Sequence, residues 1–210
     1  MDALYPLVAV IAAYLLGSLA FAVLVSKVMG LADPRTFGSK NPGATNVLRS
    51  GSKPAAAVTL LLDALKGFVP VLLVRLYGHA YGMDDGTVAL VALAAFLGHL
   101  YPVFFRFQGG KGVATFIGVV FGVHWLLGIA TGLTWLIIAF FFRYSSLASL
   151  VSAVFAPVYY LLGDRIAWYA DTPVAAALFA MALLLAWRHR ANIQRLMQGT
   201  ESRLGAKKAS

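Results

Sequence analysis

The chain has 210 residues, 60% of them hydrophobic and only 12% charged. Soluble globular domains carry about 25% charged residues, so an ordinary soluble domain is excluded and the solvent that suits this chain is a bilayer. Lys and Arg total 17 against 8 Asp and Glu, a formal +9, but they sit between long apolar runs instead of forming a basic patch with interleaved aromatics. They read as topology signals and anion ligands, which argues against nucleic acid as a partner. The absence of cysteine removes disulfides, thiolate nucleophiles and thiolate metal sites together.

Met1 and Asp2 supply no basic leader, and the apolar run Leu4 to Val25 is too long for the core of an export signal. It is expected to span the membrane, as are Ala55 to Tyr77, Thr87 to Phe105, Leu147 to Leu162 and Pro173 to Trp187. The stretch Gly112 to Phe142 has no formal charge and would make one helix of about 46 Å. That overshoots the hydrocarbon by about half, so a hairpin turning at His124-Trp125 is expected. Two short spans or a re-entrant loop satisfy the same parity.

Basic residues mark the cytoplasmic segments. Lys27, Arg35, Lys40, Arg49 and Lys53 follow the first span, Arg106 and Lys111 follow the third, and Arg188, Arg190, Arg195, Arg203, Lys207 and Lys208 follow the last. The segments 79–86 and 163–172 carry Asp84, Asp85, Asp164 and Asp171 with one base, Arg165, and read as external. Parity then gives an all-α integral membrane protein, a seven-helix bundle with the N-terminus out and the C-terminus in. No internal repeat or linker divides it, so residues 1–210 form a single transmembrane domain with cytoplasmic motif segments at 30–54, 106–115 and 188–204.

Asp63 and Lys66 stand three apart on one helical face, about 12 and 17 Å in from Ala55. An ion pair that deep is either a pin between helices or a substrate contact. The loop Gly38 to Arg49 concentrates Ser39, Asn46 and Arg49 beside glycines. The turn Gln108-Gly109-Gly110-Lys111-Gly112 feeds directly into an apolar helix, so its amides, the helix dipole and the Lys111 charge suit a phosphate. It is not a Walker A loop, since Gly112 follows the lysine where Ser or Thr is required. His99 reads as a packing histidine near the same turn. If the last helix runs on, Arg188, Asn192 and Arg195 share a face with His189 beside them; Arg188 and Arg190 read as topology anchors, while His189 and Asn192 are site candidates. All three clusters fall on the expected cytoplasmic side with almost no carboxylates, which gives a magnesium site little support and argues against nucleotide-dependent phosphotransfer.

The strings GSKNPGATNVLR (38–49), DALKG (63–67), GHLYPVFFRFQGGKGVAT (98–115) and RHRANIQRLMQGTE (188–201) resemble, in order, those of the bacterial acyl-phosphate:glycerol-3-phosphate acyltransferase family. Lys40 departs from the small residue expected there, and Pro42 falls at a variable position. The resemblance implies a multi-pass enzyme of the bacterial inner membrane with its active site on the cytoplasmic side and no cofactor or metal. Its substrates would be glycerol 3-phosphate and a fatty acyl phosphate made by a soluble partner enzyme, its product lysophosphatidic acid. Because an acyl phosphate is already activated, the protein must bind two phosphates, align hydroxyl with carbonyl and stabilise departing charge. On that reading Arg49, Lys111 and the Gly109 and Gly110 amides bind phosphate, and Ser39, Asn46, Thr115 and Asn192 orient it. His189 is the candidate general base, unless a substrate phosphate oxygen takes the proton. Ser39 as an acyl nucleophile lacks a visible His-Asp pair to activate it. Asp63, Lys66 and His99 support the site. His79 and Asp84 have the spacing of a catalytic dyad in acyl-CoA enzymes but fall on the external side. The rival class is a secondary transporter or channel for a phosphate-bearing anion, which the intramembrane Asp63-Lys66 pair would suit; polar groups gathered at one surface and the lack of an inverted repeat argue against it.

Overall fold

Where water is scarce a backbone must satisfy its own hydrogen bonds, and the computed structural model is accordingly built of helices, with no strand among the described residues, 4–205. Met1, Asp2, Lys207 and Lys208 lie outside the described residues. The helices are α1 (Leu4–Gly17), α2 (Phe21–Val28), α3 (Ala44–Leu48), α4 (Lys53–Tyr77), α5 (Asp85–Leu100), α6 (Val113–Val123), α7 (Trp125–Phe142), α8 (Ser145–Leu162), α9 (Thr172–Arg188) and α10 (Arg190–Met197). Four stretches, Lys53–Tyr81, Asp85–Phe105, Trp125–Phe142 and Ser145–Leu162, are long and apolar enough to cross a bilayer, and six are if each of two bent pairs is one span.

Local chemistry sets the boundaries. Ser52 caps α4 by accepting from the Ala55 amide at 3.3 Å, and Asp84 caps α5 by accepting from the Thr87 amide at 2.9 Å. Asp84 is thus a helix cap, and with His79 it lies at the far end of α4 from the Ser39–Arg49 loop, about 37 Å along the helix. Pro102 ends the α-helical part of the third span at Leu100, and a short 3₁₀ turn, Val103–Phe105, carries it to the expected Phe105. The long uncharged stretch breaks at His124, whose backbone is extended (φ −158°), the position expected for the turn.

Two expected continuations are corrected. The first span does not run straight from Leu4 to Val25 but breaks at residues 18–20 with a 46° bend into α2. The Leu19 carbonyl at this break accepts from the Lys66 ammonium at 2.7 Å, and Lys66 pairs with Asp63 at 2.8 Å. The deep pair is therefore a pin between helices. The last helix does not carry Arg188, Asn192 and Arg195 on one straight face either, because it bends by 61° at His189.

Close crossings hold the bundle together. A Cβ at Gly17 or Gly98 would fall on the Ala95 or Tyr14 carbonyl, so the α1–α5 crossing admits only hydrogen from either side. Gly67 and Gly118 make the same contact between α4 and α6 through the Thr115 and Ala64 carbonyls. The core beyond these crossings is formed by Phe96, Phe116, Leu127, Tyr160, Leu178 and Leu185. Short connectors join α4 to α5 and α8 to α9, so the start of α4, the end of α5, the start of α8 and the end of α9 gather at one end of the molecule.

Gly118→Val should lower the thermal midpoint in micelles by more than about 4 °C, since overpacking costs about 1–3 kcal/mol. Gly132→Ala in α7, where the nearest atom to the new Cβ is 3.9 Å away, should leave it unchanged or higher.

Candidate active site

The polar end of the bundle brings the three donor-rich strings together. In the first, Asn46 is buried and consumed by its own loop: its amide group donates to the carbonyls of Pro34 at 2.6 Å and Phe37 at 3.1 Å, and its Oδ1 accepts from the Ser39 amide at 3.0 Å. The expected phosphate contact for Asn46 is therefore corrected to a loop brace that presents the exposed Ser39 and Arg49. The loop reaches the second string at the Pro42 carbonyl, 3.0 Å from where a Gly110 Cβ would stand.

The glycine turn is clamped from both sides. Arg188 donates to the Gly109 carbonyl at 2.8 Å and the Gly110 carbonyl at 3.1 Å, and lies over the Tyr101 ring. Arg188 is thus more than the topology anchor its position suggests. The Gly110 amide donates to the His99 carbonyl at 3.1 Å, so the expectation that it faces a phosphate is corrected: it is already committed. Thr115 is fully buried, donating to the Asp63 carbonyl at 2.9 Å with His99 Nδ1 at 3.2 Å from its hydroxyl, and cannot meet a phosphate as expected. A His-Asp pair does exist, His99 Nδ1 to Asp63 Oδ1 at 3.6 Å, but Asp63 is committed to Lys66 and the imidazole lies under Gly110, whose Cβ would fall on Nε2. His99 shapes the floor of the turn.

The third string supplies the remaining wall. Lys111 Nζ donates to Asn192 Oδ1, and the Asn192 amide group donates to Glu201 Oε1 at 2.7 Å. The same oxygen accepts from Ser146 at 2.7 Å, while Oε2 accepts from Arg195 at 2.7 Å. Arg49 donates to Ser202 at 2.8 Å, and Leu204 and Arg143 exchange backbone and side-chain bonds. Residues 199–205 therefore fold back as a strap tying α10 to the start of α8. Sequence reasoning missed Glu201 and Ser146; Glu201 had a signal, as the one carboxylate in a segment that carries Arg188, Arg190, Arg195, Arg203, Lys207 and Lys208, and Ser146 had none.

The electrostatics follow from burial. Lys111 is lowered to about 8 by burial, with the Glu201 charge partly restoring it. Burial pushes the Glu201 carboxyl up, but hydrogen bonds from Asn192, Ser146 and Arg195 more than offset this and hold it below the usual carboxylate range. His189 is buried and lowered to about 4, chiefly by burial, so it is neutral at pH 7. Its Nδ1 is 2.8 Å from the Leu185 carbonyl, which only accepts, so Nδ1 carries the hydrogen and Nε2 keeps a lone pair. At the assembled end Lys111 is bonded to Asn192 and lies near enough to Arg49 for the two charges to act on one another, while Ser39 stands exposed on the loop that carries Arg49.

Since the folded Glu201 carboxyl titrates below its unfolded value, its contribution to stability is present above the unfolded value and lost as pH falls through the folded one. Glu201→Gln should accordingly lower the thermal midpoint at pH 7 by several degrees, and the gap from wild type should close below about pH 4. A gap that persists at acid pH would contradict the charge-based role.

Residues 7–199 match the family model described as glycerol-3-phosphate acyltransferase. The chain is 68% identical over 207 residues, 99% of its length and 92% of the relative's, to a glycerol-3-phosphate acyltransferase of Albidiferax ferrireducens. It is 64% identical over 204 residues, 96% of its length and 97% of the relative's, to that of Burkholderia pseudomallei. Crystal structures of an integral membrane glycerol 3-phosphate acyltransferase superpose with a TM-score of 0.88 for its glycerol 3-phosphate form and 0.86 for its lysophosphatidic acid form, at 40% and 39% identity, covering 96% of each chain. The apolar helices and these neighbours make it a multi-pass membrane protein, and the chain belongs to the glycerol-3-phosphate acyltransferase family.

Proposed function

We propose that this protein transfers a fatty acyl group from acyl phosphate to the 1-hydroxyl of glycerol 3-phosphate, releasing lysophosphatidic acid and inorganic phosphate. The observation that carries this reading is that Arg49 and Lys111, from two different strings, lie within reach of each other's charge beside a buried, neutral histidine. Its solved relative is described in a glycerol 3-phosphate form and a lysophosphatidic acid form. In the reaction the 1-hydroxyl oxygen attacks the acyl carbonyl carbon. The bond from that carbon to the bridging phosphate oxygen breaks, and the electron pair leaves with phosphate. Arg49 and Lys111 bind the phosphates and offset the charge that develops on the leaving group. Ser39, Asn192 and the Gly109 amide orient them.

The hydroxyl proton passes to a phosphate oxygen. A histidine lowered to about 4 is a weak base at pH 7, so His189 keeps a binding role, its Nε2 lone pair accepting from the other free hydroxyl of glycerol 3-phosphate. Ser39 is not an acylated nucleophile in this scheme, because the mixed anhydride needs no further activation. The protein is read as one domain, residues 1–210, crossing the bacterial inner membrane seven times: α1 with α2 as one broken span, then α4, α5, α6, α7, α8 and α9. The N-terminus is outside, the C-terminus inside, and the site faces the cytoplasm, where a soluble enzyme supplies acyl phosphate.

Purified protein in micelles, given glycerol 3-phosphate with either palmitoyl phosphate or palmitoyl-CoA, should make lysophosphatidic acid from the phosphate alone. Product from the thioester alone overturns the donor, and none from either favours the transporter. Arg49→Ala should raise KM for glycerol 3-phosphate about 10- to 100-fold, the loss of a charge-assisted hydrogen bond. Because Lys111 loses its proton as pH rises through about 8, KM should climb above that pH, and Lys111→Arg, always charged, should flatten the climb.

A further inference from the structure

Where α2 ends and the turn after α5 folds back lie two neighbouring cavities of about 510 and 440 Å³. They share Asp33, Arg35 and Phe105, and no residue assigned to acyl transfer lines either one. Arg35 is spoken for: it pairs with Asp33 at 2.6 Å and lies over the Phe105 ring at 5.9 Å. Lys27 lines one cavity and Arg106 the other. Both are exposed, and neither has an ion-pair partner among the described residues.

The surroundings are apolar. Val28 is 86% exposed, and Phe104 and Phe107 are each 58% exposed. Arg106 and Phe107 both hold left-handed backbone, with φ of 54° and 58°, a strained turn for two bulky residues. Two unpaired cations bracketing a fixed ion pair, with bare aromatic rings alongside, match the two ends of a membrane lipid: an anionic head and apolar tails. A soluble anion would use the cations but would leave the rings uncovered.

We propose that these cavities bind the headgroup of an anionic phospholipid from the surrounding leaflet, its phosphodiester facing Lys27 and Arg106 and its acyl chains lying against Phe104 and Phe107. The Asp33–Arg35 pair divides the cavities and keeps both cations directed at the lipid. The proposal does not depend on which acyl donor the enzyme uses.

Native mass spectrometry of the purified full chain, offered equal amounts of phosphatidylglycerol and phosphatidylcholine with matched chains, tests it. Phosphatidylglycerol should be retained preferentially, and Lys27→Gln and Arg106→Gln should each reduce the preference about fivefold. Their thermal midpoints should match wild type, because both side chains are exposed, and Lys27→Arg should keep the preference. Equal retention of both lipids by wild type, or an unchanged preference in the Lys27→Gln/Arg106→Gln variant, would overturn the proposal. So would displacement of the bound lipid by inorganic phosphate alone, which would mark a free-anion site.

Discussion

Carbonyls at a break in a membrane helix need donors, and the Leu19 carbonyl takes, besides the Phe21 amide at 3.1 Å, the Lys66 ammonium at 2.7 Å. The rest of the polar end follows from that bond. Lys66 is tolerable there only because Asp63 balances its charge. The Asp63 backbone carbonyl then receives Thr115, Thr115 contacts His99, and the His99 carbonyl holds the Gly110 amide. A line of hydrogen bonds thus runs from the kink in the first span to the glycine turn. Breaking a buried pair of this kind costs about 3–5 kcal/mol, and here it would loosen the floor under the glycine turn as well as the bundle.

The opposing wall answers a different problem. Lys111, Arg188, Arg195 and Arg49 converge on one end of the molecule, and like charges repel more strongly as water is excluded. Glu201 is the local counter-charge, and it is held by Asn192, Ser146 and Arg195 at once. Its carboxylate lets the chain bend at His189 and return as a strap, which places Ser202 on Arg49. Positive charge can gather at this end because one carboxylate, held by three partners, offsets it.

Much of this was legible in the chain. Apolar length located the long helices, the uncharged stretch Gly112 to Phe142 announced its own break, and the three polar strings do meet. What failed failed for identifiable reasons. Helix periodicity carries no information about a tertiary donor such as Lys66, so the break at residues 18–20 was invisible. A polar residue type shows capacity for hydrogen bonding but not where that capacity is spent, so Asn46, Thr115 and the Gly110 amide read as ligands when they hold the walls. Arg188 was hidden by position, since a base after a last span is usual for topology alone. Glu201 was hidden by rarity: one carboxylate in a basic segment looks incidental until its three partners are seen.

The central claim is that the three strings form one phosphate-binding cleft around Arg49 and Lys111. A structure of this chain with glycerol 3-phosphate bound tests it most directly. The account predicts the phosphate within about 3 Å of both the Arg49 guanidinium and the Lys111 ammonium, with Glu201 still held by Asn192 and Arg195. A phosphate touching neither cation, or one lodged among the helices near Lys66, would contradict it.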